Sequence, residues 1–356
     1  MDNELKPFRD RIDAIDATLL DLINQRAGLA QEIGRLKAVT NSPVFRPERE
    51  AQILRSLAEK NKGPILTESL QAIYREIISA CRALERRLAV AYLGPEGTYS
   101  EMATLKYFGN TIDAVPCEKI DDVFRAAEAG TVDFGIVPIE NSAEGTINRT
   151  LDLLIQTPLV INGEISIPIS HHLMTQSGKM DGVGIVYAHS HSLAQCQNWL
   201  NQYYPRVQRH AVSSNGEAAL IASKNKEAAA IASDVASSRY GLQIVSANIQ
   251  DDPHNRTRFA VIGRQATEPS EKDQTSLILS VPNRAGAVYH LIEPLARYGV
   301  SMARFESRPA RTGVWEYYFF VDIEGHARDE KVAKALVEIR ERAAYFKVLG
   351  SYSKVE

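Results

Sequence analysis

Residues 5–37 read LKPFRDRIDAIDATLLDLINQRAGLAQEIGRLK. Leu5, Phe8, Ile12, Ile15, Leu19, Leu22, Leu29, Ile33 and Leu36 recur at steps of three and four, with one break. That period places side chains on one face of an α-helix. One long helix is expected, ending before Asn41-Ser42-Pro43. At roughly 35 residues it would be ~50 Å long. A three-helix segment cannot cover so long an apolar stripe, so a second copy of the chain is expected to cover it. The break falls at position 26, where Arg26 takes the place of an apolar residue. A charge in a buried seam costs several kcal/mol unless it snorkels out, pairs with a carboxylate or meets an anionic ligand.

Lys37 lies three turns beyond Arg26 on nearly the same face, ~16 Å along the axis, so the pair can bracket a small dianion. Arg9 lies ~25 Å from Arg26 the other way and reaches the same ligand only from another copy. Pro47 suits the first position of a second helix, PEREAQILRSLAEK, which Gly63-Pro64 ends. Thr67 is expected to cap a third helix running to about Leu88. These helices add Arg46, Arg49 and Glu50, then Cys81 and Glu85 at a spacing of four.

The chain has 356 residues, 44% hydrophobic and 24% charged, which suits a soluble protein of two or three domains. A net charge of -3 gives no basic field for nucleic acid. The absence of a long apolar run excludes a membrane helix, and the acidic N-terminus is not a secretory signal. Cys81, Cys117 and Cys196 form no CxxC and read as reduced thiols of a cytoplasmic protein. His171-His172 and His189-Ser190-His191 lack the spacing of a zinc protease, so no metal is expected.

Residues 90–265 change rhythm. Short apolar runs (AVAYLG, DFGIVPIE, GIVYAH, AAAIAS, FAVIG) alternate with amphipathic stretches such as SLAQCQNWLNQYY and NGEAALIASK. Mostly parallel α/β layers are expected, as one domain or two lobes with a cleft. Polar clusters stand where strands end and helices begin, which suits an anionic ligand. Residues 266–274, ATEPSEKDQ, read as a linker, and 273–356 follow the βαββαβ order of a ferredoxin-like module. The expected domains are therefore 1–89, 90–265 and 273–356.

The helical stretch, followed by FRPERE and REIISACRALE, resembles the all-helical chorismate mutases, whose reaction is the Claisen rearrangement of chorismate to prephenate. The resemblance implies that Arg9, Arg26 and Lys37 bind chorismate, with Arg46, Arg49, Glu50, Cys81 and Glu85 completing the pocket. Such a reaction needs no nucleophile, only cations on two carboxylates and donors on the breaking ether oxygen. Lys37 is one donor. Glu85 stands where a Gln can occur and must be protonated to help, so mutase activity is expected to fall as pH rises through its titration.

YLGPEGTYSEMA, VPIENSAEGT, YAHSHSLAQCQ and NRTRF resemble the prephenate dehydratases. That family has a two-lobed α/β cleft, like periplasmic binding proteins, and converts prephenate to phenylpyruvate without cofactors. The resemblance places Thr257 at the departing ring hydroxyl and implies prephenate contacts at Thr98, Ser100, Asn141, Ser142, Asn255, Arg256 and Arg258. A Thr hydroxyl is too weak to be a free acid, so it acts as donor or relay, with Glu140 or Glu217 as proton source. Arg256 or Arg258 is read as a carboxylate clamp.

The tail, with Asn283-Arg284-Ala285-Gly286-Ala287 and Glu306-Ser307-Arg308-Pro309, resembles the ACT regulatory domains. This implies L-phenylalanine as effector, with contacts at Gly286, Ala287, Glu306, Ser307, Arg308 and Pro309. In this order the segments resemble the bifunctional chorismate mutase–prephenate dehydratases of phenylalanine biosynthesis, feedback-inhibited homodimers or dimers of dimers. A non-catalytic amino-acid sensor, or a dehydratase whose helical domain only dimerises, are the competing readings. A sensor needs neither Arg26 in the seam nor Thr257.

Overall fold

The computed structural model describes residues 2–40, 42–282, 284–309 and 317–354. Asn283 of the effector motif, and the start of the expected strand VWEYYFFVDIEG, fall outside them. The chain divides into two compact units, Met1–Leu88 with Phe108–Asp113, and Ala89–Tyr107 with Ala114–Glu356.

The first unit is built from helices α1 (Asp2–Thr40), α2 (Pro47–Lys60) and α3 (Thr67–Ala83). The first two follow the expected bounds. The third differs: Leu66 holds the cap position and Thr67 makes no side-chain cap. It also ends early, because the backbone amides of Glu85 and Arg86 both turn back onto the Arg82 carbonyl. The apolar stripe of α1 faces outward: Phe8, Ile15, Leu22 and Leu29 are 63%, 57%, 53% and 62% exposed.

The second unit opens with β1 (Ala89–Leu93), α4 (Tyr99–Phe108), β2 (Asp113–Cys117), α5 (Ile120–Ala129), β3 (Phe134–Asn141), β4 (Gly145–Thr146), α6 (Asn148–Gln156) and β5 (Val160–Pro168). A second lobe follows with β6 (His172–Thr175), β7 (Ile185–His189), α7 (Ser190–Gln195), α8 (Gln197–Tyr203), β8 (Gln208–Val212), α9 (Asn215–Lys224), β9 (Ala228–Ala232), α10 (Asp234–Tyr240) and β10 (Gln243–Ser246). Then β11 (Arg256–Gly263) returns to the first sheet between β3 and β5, giving the order β2-β1-β3-β11-β5; the second sheet runs β10-β6-β9-β7-β8. Both sheets are mixed rather than mostly parallel. The returning β11 runs antiparallel to both its neighbours, and β6 runs antiparallel to β9 and β10.

The tail supplies β12 (Asp273–Ser280), α11 (Ala287–Arg297), β13 (Met302–Pro309), β14 (Tyr317–Glu324), α12 (Glu330–Arg342) and β15 (Tyr345–Ser353), with sheet order β13-β14-β12-β15. This is the expected ferredoxin-like arrangement. The linker reading of 266–274 needs correction. Thr267 and Ser270 are buried, and their hydroxyls bond to the Ser351 carbonyl and Asp273. The tail also shares a core with the first lobe: Ile278, Phe320, Leu349 and Tyr352 pack with Val137, Ile161 and Ala260.

Candidate active sites

In the helical unit, Lys37 occupies the last turn of α1. Its ammonium donates to the Val44 carbonyl at 3.0 Å and lies 3.3 Å from Glu85 Oε2. Gly34 permits this approach, since a Cβ there would stand 2.5 Å from Glu85 Cγ. Glu85 is therefore enclosed, not part of a solvated helix face, and the neighbour that meets it is a cation.

Glu50 lies in the first turn of α2 and pairs with Arg82, which is buried, donates to the Phe108 carbonyl and lies 4.9 Å from the Phe45 ring centroid. Burial pushes the Glu50 carboxyl above the usual range, and Arg82, Arg75 and Arg26 pull against that. Arg26 thus acts on the same carboxylate. Two pairs result, Lys37 with Glu85 and Arg82 with Glu50, with Arg26 close enough to Glu50 to favour its charged form, and Cys81 is buried on α3. Arg46 and Arg49 are exposed at the start of α2, and Arg9 lies far along α1. Arg75 and Arg82 escaped the sequence reading. Seven residues apart on α3, they share a face with buried Ile78, and that spacing was the available signal.

In the second unit, a cleft of about 930 Å³ is lined by residues of both lobes. Thr98, Ser100, Asn141, Asn255 and Thr257 are among the residues that line it. Thr257 Oγ1 accepts from Asn141 Nδ2 at 2.8 Å, and the same amide donates to Asn255 Oδ1 at 3.0 Å. With a lone pair committed to Asn141, the Thr257 hydroxyl keeps its own proton for another acceptor. Ser142 stands behind this pair, donating to Asn255 Oδ1 at 3.3 Å.

The chain of bonds continues across the lobes. Asn255 Nδ2 donates to Gln195 Oε1 at 3.0 Å, and His171 Nε2 stands 2.8 Å from the same oxygen. The Tyr99 hydroxyl lies 3.2 Å from His171 Nδ1 and donates to the Ser170 carbonyl at 2.6 Å. Burial holds His171 below its usual range, against the opposing hydrogen bond to Gln195. A neutral ring with Nε2–H satisfies the acceptor at Gln195. Gln195, His171 and Tyr99 were not singled out from sequence as site residues, although Gln195 sits inside YAHSHSLAQCQ.

Arg256 and Arg258 do not line the cleft. Alternate residues of a strand face opposite sides, so with Thr257 in the cleft its neighbours point away. Arg256 Nε donates to Ser166 at 3.0 Å, and Arg258 is clasped by Glu164, Glu140 and Asp322. The clamp reading of either arginine is therefore corrected. Glu140 is likewise spent on Arg258 at 2.8 Å and on Arg304 at 3.4 Å. Glu217 accepts from the Ser213 amide at 2.9 Å, at the N-terminus of α9, and does not line the cleft. The acids that do line it are Glu96, Glu118 and Glu144, and Glu144 pairs with His191. Among the described residues no Lys or Arg lines the cleft. The N-terminal turns of α4 and α9, hydroxyls and amides, and His189 are left to meet an anion.

In the tail, Gly286 caps α11 with φ 77°, a left-handed conformation open to glycine, and Ala287 follows as the first helical residue. Glu306 bonds to Thr146 and Arg304. Arg308 is buried and donates to the Asn148 carbonyl; its other terminal nitrogen lies 2.8 Å from Asp152, close enough for an ion pair though not aligned as a hydrogen bond. Arg308 thus spends its charge on the dehydratase-like lobe, while Glu306 pairs with Arg304 of the tail and accepts from Thr146 of the lobe.

Three family models match in sequence order: chorismate mutase type II over residues 8–86, prephenate dehydratase over 90–267 and the ACT domain over 275–341. A bifunctional chorismate mutase/prephenate dehydratase of Pseudomonas aeruginosa is 46% identical over 358 residues, covering 99% of this chain and 98% of the relative. A prephenate dehydratase of Arthrobacter aurescens, crystallised in complex with L-Phe, is 30% identical with a TM-score of 0.69, covering 75% of this chain and 90% of that one. A chain described as a novel type of quorum quenching acylase, GqqA, superposes equally well, with a TM-score of 0.69 at 26% identity over 75% of this chain and 98% of that one. Fold alone therefore does not fix the chemistry, which rests on the site residues.

Proposed function

The chain belongs to the bifunctional chorismate mutase/prephenate dehydratase family of phenylalanine biosynthesis, with both activities, and from that premise we propose where each reaction takes place. The rearrangement of chorismate takes place in the helical unit, with Arg26 and Lys37 on its carboxylates and Lys37 and Glu85 near the ether oxygen. Arg9 is supplied by a second copy, whose α1 covers the exposed stripe. The outward-facing leucines and isoleucines of α1 support this dimer, since an apolar face of that length is costly in water.

Dehydration of prephenate takes place in the two-lobed cleft. Thr257 donates its proton to the departing ring hydroxyl, which leaves as water. The ring carboxylate leaves as CO2, and its bonding electrons complete the aromatic ring. The hydroxyl is re-protonated from an acid of the cleft, and the Glu144–His191 pair stands at that surface. Carboxylates are held by helix N-termini and neutral donors rather than by arginine. The observation that carries this reading is the Asn141–Thr257 bond, which leaves the Thr257 proton to the cleft.

The ACT domain binds L-phenylalanine and lowers dehydratase turnover. This reading draws on the tail's own fold and on the relative crystallised with L-Phe. One assay tests the whole: purified protein given chorismate should form prephenate and then phenylpyruvate, and the second step alone should slow with added phenylalanine. Chorismate left unchanged, or prephenate accumulating without phenylpyruvate, would each remove one half of the proposal.

A further inference from the structure

We propose that Asp322 and Arg304 of the ACT sheet are positioning residues for the dehydratase reaction. They hold the Asn141–Thr257 pair in the cleft by clasping the adjacent Glu140 and Arg258 on the opposite face of the same two strands. The proposal rests on the reading of Thr257 as proton donor.

The pairing of β3 with β11 sets Thr257 opposite Asn141 and Arg258 opposite Glu140. One pair faces the cleft and the next faces the ACT sheet. The ladder carries a bulge between Arg258 and Phe259 and resumes at Arg258 and Thr257, so side-chain contacts add to a backbone pairing that is locally irregular there. Those side chains close a ring. Arg258 grips Glu164 with two bonds of 2.6 and 2.7 Å and reaches Asp322 at 3.4 Å. Asp322 accepts from Ser276 at 2.6 Å, Ser276 Oγ lies 2.8 Å from the Tyr352 hydroxyl, and that hydroxyl returns to Glu164 at 3.4 Å.

Asp322, Ser276 and Tyr352 belong to the tail, while Arg258 and Glu164 belong to the dehydratase lobe. Arg304 adds a second hold, 3.4 Å from Glu140, and is the cross-strand partner of Asp322. Burial alone would lower the Arg258 guanidinium, but the carboxylates of Glu164, Asp322 and Glu140 outweigh it and keep the group charged. Removing Asp322 leaves Arg258 with two carboxylates, so the charge stays compensated while the clasp slackens.

The test uses the full chain with Asp322→Ala, Asp322→Asn, Arg304→Ala and Thr257→Ala. Dehydratase kcat and KM and the thermal midpoint are measured for each. Asp322→Ala should lower kcat about 10–100-fold, since a displacement near 1 Å costs that much, with KM within about 2-fold. Asp322→Asn keeps an acceptor for Ser276 and should recover most of the loss. Arg304→Ala should shift kcat the same way by a smaller factor, and it carries the test if the alanine variant of Asp322 does not fold. Unchanged kcat in the folded variants, or a rise in KM alone, overturns the proposal. Retained turnover in Thr257→Ala would instead sink the Thr257 reading on which it stands.

Discussion

The Lys37 ammonium lies 3.3 Å from Glu85 Oε2, across a contact that only the bare Gly34 backbone allows. An ionised carboxylate cannot donate to an ether oxygen, whereas a side-chain amide can. Glu85→Gln sets such a donor against the breaking bond, so its mutase kcat should exceed the parent's at neutral pH. A kcat at or below the parent's would show that Glu85 does not act at the ether oxygen.

Thr257→Ala removes the one cleft hydroxyl oriented by Asn141. Loss of a positioned proton donor costs about 10²–10⁴-fold, so dehydratase kcat should fall by that order. Mutase turnover, housed in the other unit, should persist. Parallel assays of both steps on one preparation decide it, and a Thr257→Ala protein that still releases phenylpyruvate at the parent rate would sink the assignment.

Much of the architecture was legible in local pattern. The bounds of α1, α2 and α9 follow from heptad spacing, Pro47 and the amphipathic run NGEAALIASK, because each signal is local. The mixed sheets were not legible. The direction of β11 depends on which neighbours it joins after the chain has crossed a whole lobe. The site was half legible for the same reason. Thr257 and Asn141 announce themselves as polar residues at strand ends, but the facing of Arg256, Arg258 and Glu140 follows only once one cleft-facing residue is fixed. NRTRF contains two cations and neither reaches the cleft, a fact of strand parity that could have been weighed from sequence. Arg82 and the Gln195–His171–Tyr99 chain depend on partners far along the chain.

Burial holds His171, His172 and His189 below the ordinary imidazole value of 6.5. As pH falls through about 6.5 the unfolded chain takes up protons that the folded chain refuses until lower pH. The unfolded state then binds more protons, so stability declines with falling pH across that window and levels off once both states are charged. Above the window the three rings are neutral in both states and contribute no slope. The thermal midpoint should drop between about pH 7 and 5, and His171→Gln should flatten part of that drop. An identical slope in the variant would mean that His171 titrates alike in both states.

A Cβ on Gly350 would stand 2.1 Å from the Ile161 carbonyl oxygen, where β15 crosses β5. Backbone cannot swing aside as a side-chain tip can. Gly350→Ala should therefore cost about 1–3 kcal/mol by overpacking, read from denaturant unfolding of the full chain. The same wedge separates the regulatory sheet from the lobe that carries Arg258, so protease cleavage within 266–272 should quicken. Unaltered stability together with unaltered cleavage would show that the two sheets are not tightly docked there.

Ile15 and Leu22 of α1 are 57% and 53% exposed in one copy of the chain. If the helix stood alone in water, Ile15→Asp and Leu22→Asp would shift stability by no more than about 0.5 kcal/mol, as surface changes do. If a second α1 covers them, each substitution buries an unpaired carboxylate in an apolar interface and association fails. Arg9 would then be withdrawn from the other copy's pocket. The double variant should lose mutase turnover, show half the apparent mass by sedimentation, and keep its dehydratase activity. Full mutase turnover at half the apparent mass would mean that each copy builds its pocket unaided, and Arg9, so far from Arg26 along the helix, would need some other task; an unchanged mass would mean that a second α1 does not cover Ile15 and Leu22.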